Sequence, residues 1–171
     1  MNHLTVGISD CKVSSDPDSV LVTYALGSCI AVAVHDPVTL VAGLLHYLLP
    51  EASLDREKAA QNPYMFADTG ISRLLKDVCQ RGAQRSRLVV RIAGGARMMN
   101  SDQLFQIGKR NHLAARKLLW KAGLLVKSEA VGGEVSRTVR LETATGRVLV
   151  RESGLECGGH RETRPAERSL A

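Results

Sequence analysis

Residues 21–50 read LVTYALGSCIAVAVHDPVTLVAGLLHYLLP and contain three short apolar runs. The runs are rich in β-branched residues, which is typical of buried strands rather than helices. Gly27-Ser28 allows a tight bend between the first two runs, and Asp36-Pro37 ends the second. Pro50 ends the third because proline cannot donate a hydrogen bond to a β-ladder. We therefore predict three largely buried strands, at residues 21–26, 29–35 and 41–49.

Beyond this stretch the pattern predicts two helices, a further strand and a hairpin. Apolar residues after Asp68 follow helical spacing, with Asp68 as the N-cap, and a second helix covers residues 107–122. Residues 87–93 form a strand between the helices, and residues 138–151 form a hairpin. The polar residues 54–62 form a surface loop or a short exposed helix. Together these elements predict a mixed α+β domain.

Length and composition indicate one folded domain. The chain has 171 residues, of which 44% are hydrophobic and 23% charged, as in ordinary globular proteins. We predict a single domain over residues 1–152 and a disordered tail over residues 153–171, where no periodicity is visible. The first residues lack the basic and apolar regions of a secretion signal, and no run approaches the roughly 20 apolar residues of a membrane span. We therefore expect a cytoplasmic protein with reduced cysteines and no membrane insertion.

Positive charge is concentrated in the later part of the chain. Residues 1–60 carry three basic and seven acidic side chains, whereas residues 61–171 carry twenty and ten. The members of one basic cluster are Arg81, Arg85, Arg87, Arg91 and Arg97. This cluster is either a solvated face or a docking surface for an acidic partner. Nucleic-acid binding is disfavoured because no aromatic side chains are interleaved with the arginines.

Cys29 and His46 are the residues that suggest chemistry. Cys29 follows the Gly27-Ser28 bend, where a thiol would be presented at a surface on a rigid backbone. A thiolate is a strong nucleophile when a nearby base, usually His, activates it. The hydroxyl of Thr23 would accept a hydrogen bond from the His46 ring and orient it. From the residue types alone, a buried structural cysteine and a hydrogen-bonded core histidine are the favoured explanation, because free cysteine is among the most buried residue types.

A series of short motifs extends through the chain. The motifs are Thr23-Tyr24-Ala25-Leu26-Gly27-Ser28-Cys29-Ile30-Ala31-Val32, Asp36-Pro37, Gly43-Leu44-Leu45-His46-Tyr47-Leu48-Leu49-Pro50, Phe66-Ala67-Asp68, Gly94-Gly95-Ala96, Ile107-Gly108-Lys109-Arg110-Asn111, Gly132-Gly133 and Thr145-Gly146. In combination, over roughly residues 4–152, they closely resemble the bacterial chemoreceptor glutamine deamidase family, CheD.

The resemblance implies a fold, an activity and a site. The fold is a layered α+β sandwich of the α/β/β/α type, with mixed β-sheets packed together and helices outside, similar to cysteine-dependent toxin deamidases. Cys29 would be the nucleophile, His46 the base and Thr23 the residue that orients His46. Glutamine side chains of methyl-accepting chemotaxis receptors would be hydrolysed to glutamate through a thioester, in chemotaxis adaptation. Neither a metal nor an organic cofactor is implied.

Two points of the predicted chemistry concern the backbone and the partners. The oxyanion is expected to bind the backbone N–H of Cys29, supported by Gly27 and Ser28 at the bend. The resemblance also implies the chemotaxis phosphatase CheC as a partner, which leaves a non-enzymatic adaptor as one alternative. A thiol-dependent esterase acting on receptor methyl esters is another, because thioester chemistry serves both leaving groups.

Overall fold

A computed structural model describes residues 1–97, 106–153 and 167–171, which contain ten strands and three α-helices. The strands are β1 (Asn2–Thr5), β2 (Asp10–Ser14), β3 (Ser19–Leu26), β4 (Ile30–Asp36), β5 (Val41–Tyr47), β6 (Val89–Gly94), β7 (Val126–Val131), β8 (Ser136–Glu142), β9 (Val148–Ser153) and β10 (Glu167–Leu170). The helices are α1 (Arg56–Gln61), α2 (Ala67–Gln80) and α3 (Ile107–Lys121).

The strands form two five-stranded sheets. Sheet 1 has the order β1-β3-β8-β9-β10, and sheet 2 has the order β2-β5-β4-β6-β7. The β1/β3 and β6/β7 pairs are parallel and the other pairs are antiparallel, so both sheets are mixed. The predicted α+β class, with mixed sheets packed together and helices outside, is confirmed.

The two sheets pack through side chains of unequal size. Sheet 2 presents mostly small side chains to the interface, namely Ala31, Ala33, Ala42, Ala93 and Ala130, together with the larger Leu44. Sheet 1 presents larger ones, namely Leu21, Leu26, Val139, Leu141, Val148 and Val150. Small residues opposite large ones let the sheets approach closely without leaving voids. This layer also holds the side chains that suggested chemistry.

The two long helices cover the other face of sheet 2. The α2 residues Ile71, Leu74, Leu75 and Val78 are spaced as predicted and are buried against sheet 2. Gly43 on β5 makes room for this packing, since a Cβ there would lie 2.7 Å from the Leu74 side chain. α3 joins the same cluster through Ala115 and Leu119. The order of layers in the described residues is therefore sheet 1, sheet 2, helices.

Local predictions differ from the structure at two places. Phe66, not Asp68, is the N-cap residue of α2, and the Asp68 carboxylate accepts a hydrogen bond from the Ala52 N–H at 3.0 Å. Glu167–Leu170 pairs with β9, so the prediction of disorder is wrong for this part of the tail. Residues 154–166 of the predicted tail lie outside the described residues.

Candidate active site

Thr23 and His46 join the two sheets by a hydrogen bond. Thr23 lies on β3 of sheet 1 and His46 on β5 of sheet 2, and 2.8 Å separates the Thr23 Oγ1 from the His46 Nδ1. Both side chains are buried. A buried polar group needs a hydrogen-bond partner, and here the Thr23 hydroxyl and the His46 Nδ1 are partners of one another. The structure thus brings together two of the three residues predicted for the site.

A β-bulge follows Thr23 on β3 and returns Leu26 to the interface between the sheets, which Thr23 faces together with Leu21. The register of β3 against β8 shifts between Thr23 and Leu26, and Ala25 has a φ of 54°. Residues three apart on a regular strand point to opposite faces. The extra residue of the bulge lets both Thr23 and Leu26 be fully buried. Bulges and left-handed non-glycine residues cluster beside functional sites, where they redirect a side chain.

Cys29 lies at the same interface as His46. Ala31 of β4 pairs with His46 of β5, and Cys29 lies two residues before Ala31, on the same face. Diagonal neighbours of this kind have Cα atoms about 7–8 Å apart, within reach of their side chains. No hydrogen bond joins Cys29 to His46, although both lie in the described part of the chain. Cys29 is only 8% exposed, so the prediction of a thiol presented at the surface is wrong.

The cysteine loop, Gly27–Cys29, is held by all three of its carbonyl groups. They accept hydrogen bonds from Gly95 N (2.8 Å), Ala96 N (2.8 Å) and Asn111 Nδ2 (3.0 Å). A Cβ at Gly94 would overlap the Cys29 carbonyl, and Gly94 has a φ of 113° that favours glycine. The carbonyl groups of the loop are anchored, whereas the N–H groups of Ser28 and Cys29 donate to no backbone carbonyl among the described residues.

Asn111 is a site residue whose role the sequence did not reveal. It lies on α3 and is fully buried. Its Nδ2 donates both to the Ser28 carbonyl at 3.0 Å and to the Leu48 carbonyl at 2.9 Å, and its backbone carbonyl accepts from the Tyr47 hydroxyl. These contacts tie the residue before Cys29 to the two residues after His46. Asn111 belongs to one of the motifs quoted above, but nothing in its spacing indicates this contact.

Burial favours the uncharged forms of both candidate catalytic groups. It lowers the pKa of His46 to about 4, although the Asp10 carboxylate on the neighbouring β2 opposes the shift. Burial also raises the pKa of the Cys29 thiol, and the backbone N–H of Cys29 offsets this in part. Near neutral pH the site therefore holds a neutral imidazole and a thiol. The His46 Nε2 atom is buried and has no partner among the described residues.

The His46 pKa predicts that acid destabilises the fold. An unfolded histidine binds a proton below about 6.5, whereas folded His46 does so only near 4. Between these values the unfolded chain holds more protons than the folded chain. The free energy of unfolding therefore decreases as the pH is lowered, by about 3 kcal/mol in total. Urea unfolding at several pH values from neutral to about 4.5 measures the fall. His46→Gln is expected to show a smaller decrease, and an unchanged decrease in that variant would contradict the assignment.

The predicted basic cluster is not one surface. Arg87 forms a forked ion pair with the buried Asp36 carboxylate, at 2.6 and 2.9 Å, and this lowers the pKa of Asp36. Arg91 is buried and donates to the Gly146 carbonyl at 3.3 Å. Arg97 pairs with Glu134. Two of the five arginines are therefore structural, and both the solvated-face and the docking interpretations fail for the cluster as a whole.

A groove runs beside the cysteine loop. Its described lining comes from the cysteine loop, the residues after β6, the start of α3 and the β7/β8 connection, and includes Ser28, Gly95, Ala96, Gly108, His112, Gly132 and Gly133. Because glycine has no side chain, much of this wall is backbone alone, which lets another backbone approach closely. Within the described residues, no helix is both long and apolar enough to cross a membrane.

Comparisons with known proteins agree with this picture. The family model for CheD chemotactic sensory transduction matches residues 48–152. A probable chemoreceptor glutamine deamidase CheD from Solibacter usitatus is 54% identical over 154 residues, which are 90% of this chain and 91% of the relative. A probable chemoreceptor glutamine deamidase CheD 1 from Syntrophus aciditrophicus is 50% identical over 90% of this chain and 96% of the relative. A probable chemoreceptor glutamine deamidase CheD from Pyrococcus abyssi is 41% identical over 88% of this chain and 91% of the relative.

The fold and the site define a class of protein, an α+β sandwich with Cys, His and Thr side chains between its two sheets. Within that class, the chain belongs to the CheD family.

Proposed function

We propose that this chain is a chemoreceptor glutamine deamidase, a hydrolase that converts glutamine side chains of methyl-accepting chemotaxis receptors to glutamate in chemotaxis adaptation. The relatives' names supply the substrate class. The observation that carries the chemistry is the buried His46, bonded to Thr23 through Nδ1 and with Nε2 unpartnered among the described residues, beside Cys29. The free thiols of Cys11, Cys29 and Cys79 suit the cytoplasm, where we place the reaction.

His46 activates Cys29 as the thiol attacks. When the Nδ1–H of His46 donates to Thr23 Oγ1, the lone pair is on Nε2, which accepts the thiol proton of Cys29. The sulfur then bonds to the carboxamide carbon, whose oxygen takes the negative charge. Because burial disfavours a resting thiolate and imidazolium, proton transfer accompanies the attack rather than preceding it.

The cysteine loop stabilises the oxyanion. The N–H groups of Ser28 and Cys29 donate to no backbone carbonyl among the described residues, and Gly27 is held beside them through its carbonyl. Fixed N–H donors aimed at a developing oxyanion lower the barrier without reorganising. The site therefore uses Gly27, Ser28 and Cys29 as backbone support rather than as side-chain catalysts.

Collapse of the tetrahedral intermediate and hydrolysis complete the cycle. The carbon–nitrogen bond breaks, the proton on His46 Nε2 passes to the leaving nitrogen, and ammonia departs to leave a thioester on Cys29. A water molecule then attacks the thioester and gives a proton to His46 Nε2. The carbon–sulfur bond then breaks, and the proton on His46 Nε2 passes to the departing sulfur, which releases glutamate and restores the thiol and the neutral imidazole. These steps need no metal or organic cofactor.

Mass spectrometry of a receptor cytoplasmic fragment tests the function. Each converted glutamine adds about 1 Da, because an amide nitrogen is replaced by oxygen. A fragment carrying receptor methyl esters, assayed in parallel, separates a deamidase from an esterase. Adding CheC to the same assay tests the proposed partner. A fragment that binds but is never converted would leave only the adaptor alternative.

Thr23 is expected to contribute through one hydrogen bond. Thr23→Val keeps the shape of the side chain but removes the hydroxyl that holds the His46 ring. The loss of one buried hydrogen bond corresponds to a kcat about tenfold lower. Thr23→Ser retains the hydroxyl and serves as the matched control, with a rate close to that of the unmodified chain. Equal rates for the Val and Ser variants would remove Thr23 from the mechanism.

A further inference from the structure

One face of α3 carries exposed apolar and basic side chains together. Leu113 is 55% exposed and Trp120 is 72% exposed, and they lie seven residues apart, on one side of the helix. Lys117 and Lys121 lie on the adjoining turns and are exposed. We call these four residues the α3 surface. Trp120 is the sole tryptophan of the chain.

The core does not explain the α3 surface. α3 packs on sheet 2 through Ala115 and Leu119, on its opposite side. Tryptophan is among the residues most enriched in binding hot spots, and here it shares one exposed helix face with a leucine. Within the described residues, neither lysine has an acidic side chain at ion-pair distance. The α3 sequence includes five Lys or Arg residues and no Asp or Glu, so its field attracts negative charge.

The α3 surface begins one helical turn beyond the groove beside the cysteine loop, because Lys109 lines the groove and lies four residues before Leu113, on the same side of α3. Gly108 packs against the backbone at Ala96, where a Cβ would lie 2.5 Å from the carbonyl oxygen, and Asn111 binds the cysteine loop. The first turns of α3 thus form one wall of the groove. Trp120 lies nine residues after Asn111, which is about 14 Å along the helix axis. An elongated partner with one residue at Cys29 would therefore extend to the α3 surface.

We propose that the α3 surface docks an acidic helical segment of the protein substrate, about two to three turns from the reacting glutamine. The proposal rests on the function proposed above, since a peptide glutamine at Cys29 makes the neighbouring occupant a protein. Its Asp or Glu side chains pair with Lys117 and Lys121, and its apolar side chains cover Leu113 and Trp120. This surface replaces the Arg81 to Arg97 cluster as the electrostatic docking site.

Fluorescence of Trp120 measures docking separately from chemistry. In a Cys29→Ser chain conversion is too slow to interfere, and titration with a tryptophan-free receptor fragment is expected to shift the Trp120 emission to shorter wavelength, with saturation. Lys117→Glu/Lys121→Glu in the same background is expected to weaken binding about tenfold or more. Arg81→Glu/Arg85→Glu is the matched control, because it makes the same charge change at two exposed arginines elsewhere. Its affinity should stay within about twofold.

Kinetics give a second readout that a purely structural effect would not produce. With Cys29 intact, the lysine reversal is expected to raise the KM for the fragment about tenfold while kcat changes less than about twofold. Iodoacetamide should alkylate Cys29 at the same rate in the lysine-reversal chain as in the unmodified chain. An equal rate would show that the substitutions leave the site intact.

Several results would overturn the proposal. They are conversion of the fragment without any Trp120 shift, equal losses in the lysine and arginine reversals, and a shift produced by duplex DNA or anionic vesicles but not by the fragment. A saturable shift without conversion by the unmodified chain would instead overturn the proposed function and leave docking in place.

Discussion

Replacing Cys29 with Ser is expected to lower the rate of receptor deamidation about a thousandfold or more while the chain stays folded. A hydroxyl is a much poorer nucleophile than a thiol, and the neutral His46 is a weak base for it. The side chains are nearly equal in size, so the packing between the sheets is preserved. The measurement is the mass gain of a receptor fragment with time, together with the unfolding curve of the variant.

Cys79→Ser is the matched control for this prediction. Cys79 is a half-buried free thiol on α2, away from the interface between the sheets. Its replacement removes a thiol without touching the Thr23–His46 pair, and the deamidation rate should be nearly unchanged. A Cys29→Ser chain that converts glutamine as fast as the Cys79→Ser chain would rule out Cys29 as the nucleophile.

Asn111→Ala is expected to have the largest effect on stability among the site variants. It leaves the Ser28 and Leu48 carbonyls without their donor in a buried environment. Each unsatisfied carbonyl costs about 1–3 kcal/mol, so the free energy of unfolding should fall by about 2–6 kcal/mol. The kcat for deamidation should fall as well, even where the chain is folded, because the cysteine loop loses an anchor.

His112→Ala is the control on the next residue of α3. His112 contacts Glu129 at the surface, and such pairs contribute less than about 1 kcal/mol. Urea unfolding of both variants and of the unmodified chain compares the two effects. An Asn111→Ala chain as stable as the His112→Ala chain would show that the two side-chain hydrogen bonds of Asn111 do not hold the site together.

The buried strands could be predicted because residues 21–50 combine β-branched residues with strong breaks. β3, β4 and β5 follow the predicted runs closely. The edge strands β1, β2 and β10 are four or five residues long and have few buried side chains. A short exposed strand takes its conformation from its neighbour rather than from its own pattern, so no local signal indicated it.

The contacts between the site residues could not be predicted, because they depend on features that leave no pattern in the nearby sequence. Thr23 and His46 could be named from residue types and motifs, but their hydrogen bond depends on how the two sheets pack face to face, which no local pattern indicates. Asn111 reaches the cysteine loop from a helix more than eighty residues later. Likewise, the spacing of the arginines could not show that Arg91 is buried and that Arg87 pairs with Asp36.

Trapping with hydroxylamine decides whether Cys29 carries an acyl group. Water converts the glutamyl thioester to glutamate, a mass gain of about 1 Da over the original glutamine. Hydroxylamine converts the same thioester to a hydroxamate, a gain of about 16 Da over the original glutamine. A receptor fragment incubated with the chain and hydroxylamine should acquire the hydroxamate at the converted glutamine, and Cys29→Ser should abolish it. Glutamate alone, formed at the normal rate in the presence of hydroxylamine, would contradict the thioester mechanism.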